Sequence, residues 1–141
     1  MKRVVLRLTG RQHELLRAHL FPGDGKESVA VALCGRHSGD QTTVLCLHEV
    51  HMIDHDSCPE RTPESITWST ESVVPLLERA SKENLAVVKF HSHPGGYARF
   101  SPIDDNSDSN FFASVHGWTD TEDPHASVVM LPSGKMFGRV I

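Results

Sequence analysis

Several large protein classes are excluded by what this chain has little of. It has three cysteines, Cys34, Cys46 and Cys58, an odd number at wide spacing with no Cys-x-x-Cys pair. Neither a disulfide framework nor a thiolate zinc site is indicated, and a reducing, cytoplasmic setting fits. The longest uninterrupted apolar run, residues 29–34, is six residues long, far short of the roughly 20 that cross a bilayer as a helix. The opening Met-Lys-Arg-Val-Val-Leu-Arg-Leu has no apolar stretch of secretory length, so neither a leader nor a membrane partner is expected. Basic residues are outnumbered, 14 against 18 acidic ones, for a net charge of −4. The electrostatic footprint of a nucleic-acid binder is therefore missing. No internal repeat, linker or low-complexity tract interrupts the 141 residues, and that length suits one domain with one core. What the chain does have is histidine: ten of them.

Hydrophobic periodicity predicts strands at 2–8, 28–33, 42–53, 66–69 and 85–91, and a closing hairpin of 126–131 with 135–141 around Pro132-Ser133-Gly134. Helices are expected over 11–20, with Thr9 as cap, over 70–82, with Thr70 as cap and Pro75 in its first turns, and over 101–116. Residues 36–41 read as a turn and 54–64, with Pro59 and Pro63, as a loop. Helices interspersed with strands give an α/β, mixed α+β architecture, a mixed sheet flanked by helices. The chain ends inside an apolar run, 137–141, as either a natural terminus or a domain cut from a longer protein would.

Chemistry concentrates in His91-Ser92-His93-Pro94-Gly95-Gly96-Tyr97-Ala98-Arg99-Phe100-Ser101-Pro102-Ile103-Asp104. Residues two apart on a strand share a face, so a strand continued through His93 aims two imidazoles the same way, a ready pair of zinc ligands. Pro94-Gly95-Gly96 turns the chain back. Ser101-Pro102-x-Asp104 has the form of a helix start, and its carboxylate can return to the histidines as a third ligand. Taken alone, each piece has a plain structural explanation: a strand histidine, an ordinary turn, a capping box. Taken together, His-x-His-Pro, six residues, then Ser-x-x-Asp is long and chemically coherent.

That pattern resembles the signature of the JAB/MPN+ (JAMM) metalloproteases, matched at all five specified positions. The Pro94-Gly95-Gly96 and Trp68-Ser69 details look most like the compact prokaryotic JAB branch. The family also has a glutamate opening a buried strand after the first helix, and Glu27, ahead of Ser28-Val29-Ala30-Val31-Ala32-Leu33, stands in the similar place. The resemblance spans essentially the whole chain and implies a JAB/MPN fold, which is cytidine-deaminase-like. It implies that His91, His93 and Asp104 hold one Zn2+ with water as its fourth ligand. By the same resemblance Glu27 is general base and then acid, and Ser101 donates a hydrogen bond to the oxyanion. The implied activity is hydrolysis of an amide or isopeptide bond after the C-terminal glycine of a ubiquitin-like protein. A fused or neighbouring activating-type enzyme is a possible companion.

Other readings stand beside this one. His48-Glu49-Val50-His51 looks like a zincin motif, but its histidines are three apart on a predicted strand rather than four apart on a helix; one of them could line a substrate groove. His55 and Cys58 invite a cysteine-nucleophile reading, though without a base or oxyanion donor in view. A zinc deaminase would need Pro-Cys-x-x-Cys and His-x-Glu, and neither is present. A non-catalytic MPN-type scaffold or a plain zinc-binding domain is the rival from outside enzymology. Loop 54–64 is the candidate for substrate contact.

Overall fold

The computed structural model describes residues 2–141. Eight strands and three α-helices follow one another as β1 (Arg3–Arg7), α1 (Gly10–Leu20), β2 (Val29–Ser38), β3 (Thr42–Met52), β4 (Glu60–Arg61), β5 (Ile66–Thr67), α2 (Val74–Glu83), β6 (Ala86–Ser92), α3 (Pro102–Thr119), β7 (Ala126–Met130) and β8 (Met136–Val140). Six strands form one mixed sheet in the order β1-β3-β2-β6-β7-β8, and β4 pairs with β5 in a small ribbon. β1 runs parallel to β3 and β6 parallel to β7, while the other pairings are antiparallel. The expected mixed sheet flanked by helices is what the chain adopts.

The central strands are buried on both faces, and residue parity divides them between two cores. Ala30, Ala32, Val88 and Phe90 point to one side, where Leu16 and Leu20 of α1 cover them. Val29, Val31, Leu33 and Val87 point to the other, beneath Leu77 of α2 and Phe111, Phe112 and Val115 of α3. On β6 the odd positions after Val87 are Lys89 and His91, so these two polar side chains lie on the α3 side.

Several boundaries differ from the periodicity. β2 continues five residues beyond Leu33, because its polar end pairs with β3 out to Ser38↔Thr43; cross-strand hydrogen bonds extend it where hydrophobicity no longer marks it. The second helix begins four residues later than Thr70: Ser69 caps a 3-10 turn over Thr70–Val73, and the α-helix starts at Val74 with Pro75 in its first turn. β5 is only Ile66–Thr67. The loop from Asp54 contains a 3-10 turn at His55–Ser57 and the strand β4.

His125 shows how polar groups are placed in this interior. It is fully buried; its Nδ1 accepts the Val87 amide at 2.9 Å, and the Nε2 proton faces Thr119 Oγ1 at 3.3 Å. Burial chiefly, then the Arg36 and His116 charges, pushes its pKa down to about 3. The unfolded chain binds this proton first as pH falls, so the stability it contributes is present above about 6.5 and is lost progressively toward 3. The expected result is a urea midpoint whose fall between pH 6.5 and 4.5 is shallower in His125→Asn, which keeps an acceptor but does not titrate. Equal slopes in the two proteins would count against it.

Candidate metal centre

The sequence builds this site at the carboxyl end of β6, where the strand is central and rigid. His91 lies on β6 opposite Val29. Beyond the strand, the His93 amide donates to the Met130 carbonyl at 3.1 Å, and the Gly96 amide closes a turn on the His93 carbonyl at 3.0 Å. Ser101 then caps α3: its Oγ accepts the Asp104 amide at 3.1 Å, and Asp104 Oδ2 accepts the Ser101 amide at 2.8 Å. The reciprocal capping box turns the Asp104 side chain back toward the helix start, where the two histidines are.

His91 Nε2 is 3.0 Å from Asp104 Oδ1, His93 Nε2 is 3.0 Å from Asp104 Oδ2, and the two Nε2 atoms are 3.1 Å apart. All three residues are buried and can hold a metal ion. Four-coordinate zinc with bonds of about 2.0–2.1 Å separates neighbouring ligand atoms by about 3.3 Å, close to these distances. Protonation fits as well. His93 Nδ1 lies 2.7 Å from the Tyr97 carbonyl, which can only accept, so the ring proton is there and a neutral ring turns an Nε2 lone pair toward the carboxylate. Two acceptors at that distance call for a cation or a shared proton between them. Accordingly the His93 pKa is raised: burial lowers it, but the Asp104 carboxylate and the Tyr97 carbonyl outweigh that. For Asp104, burial raises the pKa and the hydrogen bonds from both histidines more than reverse it, leaving the group well below the carboxylate range. His91 is held below its ordinary value by burial, against the pull of Asp104, and its Nδ1 is buried without a partner.

Glu27 and Ser101 border the same place. With His93, Pro63, Glu64 and Tyr97 they line a cavity of about 540 Å³. Glu27 is only 3 % exposed. Burial, followed by the negative charge of Asp104, raises its pKa to about 7, so it exchanges protons near neutrality. Its backbone is fixed from β4. The Glu27 amide donates to the Thr62 carbonyl at 2.9 Å, and Arg61 Nε donates to the Glu27 carbonyl at 2.8 Å while its NH1 group meets Asp24. The neighbouring Ser28 amide donates to Ser92 Oγ at 2.9 Å, which ties this segment to β6. The loop expected to reach a substrate does reach the cavity, through Pro63 and Glu64.

Neither His48 nor His51 lines that cavity; both are strand residues of β3. His55 Nε2 donates to the His19 carbonyl and Cys58 Sγ to the Asp54 carbonyl, so they do not form a nucleophile pair, and burial raises the Cys58 pKa. Two features escaped the sequence reading. One is the Tyr97 carbonyl behind His93. The other is a buried Lys89 paired with Asp108, which a lysine at the parity of His91 and an aspartate four residues after Asp104 could have signalled.

Fold and site together define a mixed α/β domain with a buried His–His–Asp group able to hold a metal. The chain belongs to the prokaryotic homologs of the JAB domain, whose family model matches residues 11–133. No curated protein matches it. Among solved structures it is similar to the solution structure of protein DSY2949 from Desulfitobacterium hafniense, at 19 % identity and a TM-score of 0.59 over 96 % of this chain and 82 % of that one. At that identity the likeness speaks for the fold alone.

Proposed function

We propose that this chain is a zinc metallopeptidase that hydrolyses the bond after the C-terminal glycine of a ubiquitin-like protein. The observation that carries the reading is the convergence of His91, His93 and Asp104 at about 3 Å from one another, with His93 opening onto a cavity that Glu27 and Ser101 also line. A scaffold that only binds partners has no need of a complete ligand set beside a carboxylate that titrates at about 7.

A zinc ion bound here would lower the pKa of water and polarise the scissile carbonyl. Glu27, poised near neutrality, takes a proton from the attacking water and delivers it to the departing amine. Ser101 serves twice. Its oxygen accepts the Asp104 amide in the helix cap, which leaves the hydroxyl proton free to meet the oxygen that becomes negative in the tetrahedral intermediate. Tyr97 and Ile103, 54 % and 53 % exposed, stand beside the cavity as apolar surface for a protein substrate. Glycine at the scissile position has no side chain to hold the carbonyl away from the site. An activating-type enzyme, fused or neighbouring, is the partner that would supply such conjugates, in the cytoplasm.

The test is a panel of ubiquitin-like fusions in which the two terminal glycines are changed one at a time to alanine or leucine. Cleavage of the parent fusion, its loss with a chelator, and at least a tenfold drop for leucine are expected. A chelator-sensitive protein that cuts the leucine variants equally well would be a general peptidase, and one that cuts nothing while holding zinc would be a binding domain.

A further inference from the structure

We propose that the buried Lys89–Asp108 ion pair, closed by Arg139, is a positioning device: it sets the register of α3 on β6 so that the Asp104 carboxylate meets His91 and His93. The functional meaning of that register rests on the metal-centre reading above.

Two parallel rungs join the strand and the helix. Lys89 and His91 are two apart on β6 and share a face, while Asp104 and Asp108 are four apart on α3 and share another. One rung is His91 Nε2 to Asp104 Oδ1 at 3.0 Å, and the other is Lys89 Nζ to Asp108 Oδ1 at 2.9 Å. Lys89 and Asp108 are each 2 % exposed, and Lys89 also donates to Ser107 at 2.9 Å. The guanidinium of Arg139, on β8, donates to Asp108 Oδ2 at 2.8 Å and to Asp105 at 2.7 Å. Its central carbon lies 3.8 Å over the Phe100 ring. This one side chain therefore grips residues just before the helix cap and residues just after the ligand.

The distribution of buried residues along α3 explains why the device matters. They are Asp104, Asp108, Phe111, Phe112 and Val115. Apolar packing holds only the second half of the helix, and the half that carries Asp104 meets the sheet through polar contacts. Apolar contacts tolerate small slides, whereas a hydrogen-bonded ion pair loses its geometry at once. Burying two charges is also costly, and an apolar pair of similar bulk is often as stable or more so. Stability alone does not account for a lysine at this position, and register does.

The test replaces both charges together, Lys89→Met with Asp108→Leu, and verifies folding by thermal melting and near-UV circular dichroism. The double variant is expected to melt within a few degrees of the parent yet to bind added Co2+ about 10–100-fold more weakly, the range for groups that orient metal ligands. In the metal-free protein, the imidazole nitrogen NMR shifts of His91 and His93 should move toward those of free histidine, since Asp104 no longer meets them. Parent-like Co2+ affinity and unmoved shifts in a folded double variant overturn the proposal. Failure of the parent to bind Co2+ counts against the metal reading alone, and the shifts then decide the register. Should the double variant not fold, Arg139→Lys, which keeps the charge and loses the fork, is judged by the same two readouts.

Discussion

Glu27→Gln is expected to keep the fold and the metal and to lower kcat by about a hundred- to ten-thousand-fold, the usual span for a positioned general base. The amide has the size of the carboxyl and cannot take a proton. The backbone contacts of residue 27, its amide to Thr62 and its carbonyl to Arg61, do not involve the side chain and survive the change. A second effect runs the other way. Because burial raises the Glu27 pKa from 4.5 to about 7, the unfolded chain releases this proton first as pH rises. The cost to stability therefore accumulates between those values and remains above them. In metal-free protein at pH 8, Glu27→Gln should be more stable than the parent by on the order of 3 kcal/mol. Urea titration and single-turnover kinetics measure the two effects. A variant that cleaves as fast as the parent would place the general base elsewhere.

His93→Ala is expected to reduce bound zinc from about one per chain to none after dialysis, and cleavage to background. The ring is a candidate ligand at Nε2 and is locked at Nδ1 by the Tyr97 carbonyl. Its removal deletes one arm of the group and also releases the turn that carries Tyr97. The loss of affinity should exceed the 10–100-fold that follows from disturbing a group behind a ligand. Elemental analysis of dialysed parent and variant checks this. A parent that takes up no zinc, or a variant that holds as much, would remove the metal reading.

The grouping of His91, His93 and Asp104 was legible because each part is local. His91 on β6 and His93, one residue past the end of that strand and still tied to β7, bring the two rings together, and a capping box turns the carboxylate back, so only one loop closure was left to the fold. The mixed sheet was legible from apolar runs. What periodicity could not see was set by partners distant in sequence. β2 lengthens because β3 lies beside it as far as Ser38, and Ser69, not Thr70, supplies the cap before α2 because a 3-10 turn intervenes. Lys89 passes unnoticed in an apolar run: its parity with His91 and the four-residue step from Asp104 to Asp108 hint at the pair, but nothing near it in sequence announces Arg139. The Glu27 position depends on Arg61, thirty-four residues away.

The division of labour around the cavity bears on how such a domain can be retargeted. Its metal-competent side chains sit at the end of a doubly covered strand and on the first turn of a helix, whereas Pro63, Glu64, Gly95 and Tyr97 at the rim belong to connecting segments. Segments of that kind accept changes in length and composition that strands and helices do not. Grafting new sequence between Thr62 and Ser65 should therefore redirect which chain ends enter the cavity and leave the chemistry behind them undisturbed, whereas a graft between Pro94 and Phe100 must keep a carbonyl where that of Tyr97 meets His93 Nδ1.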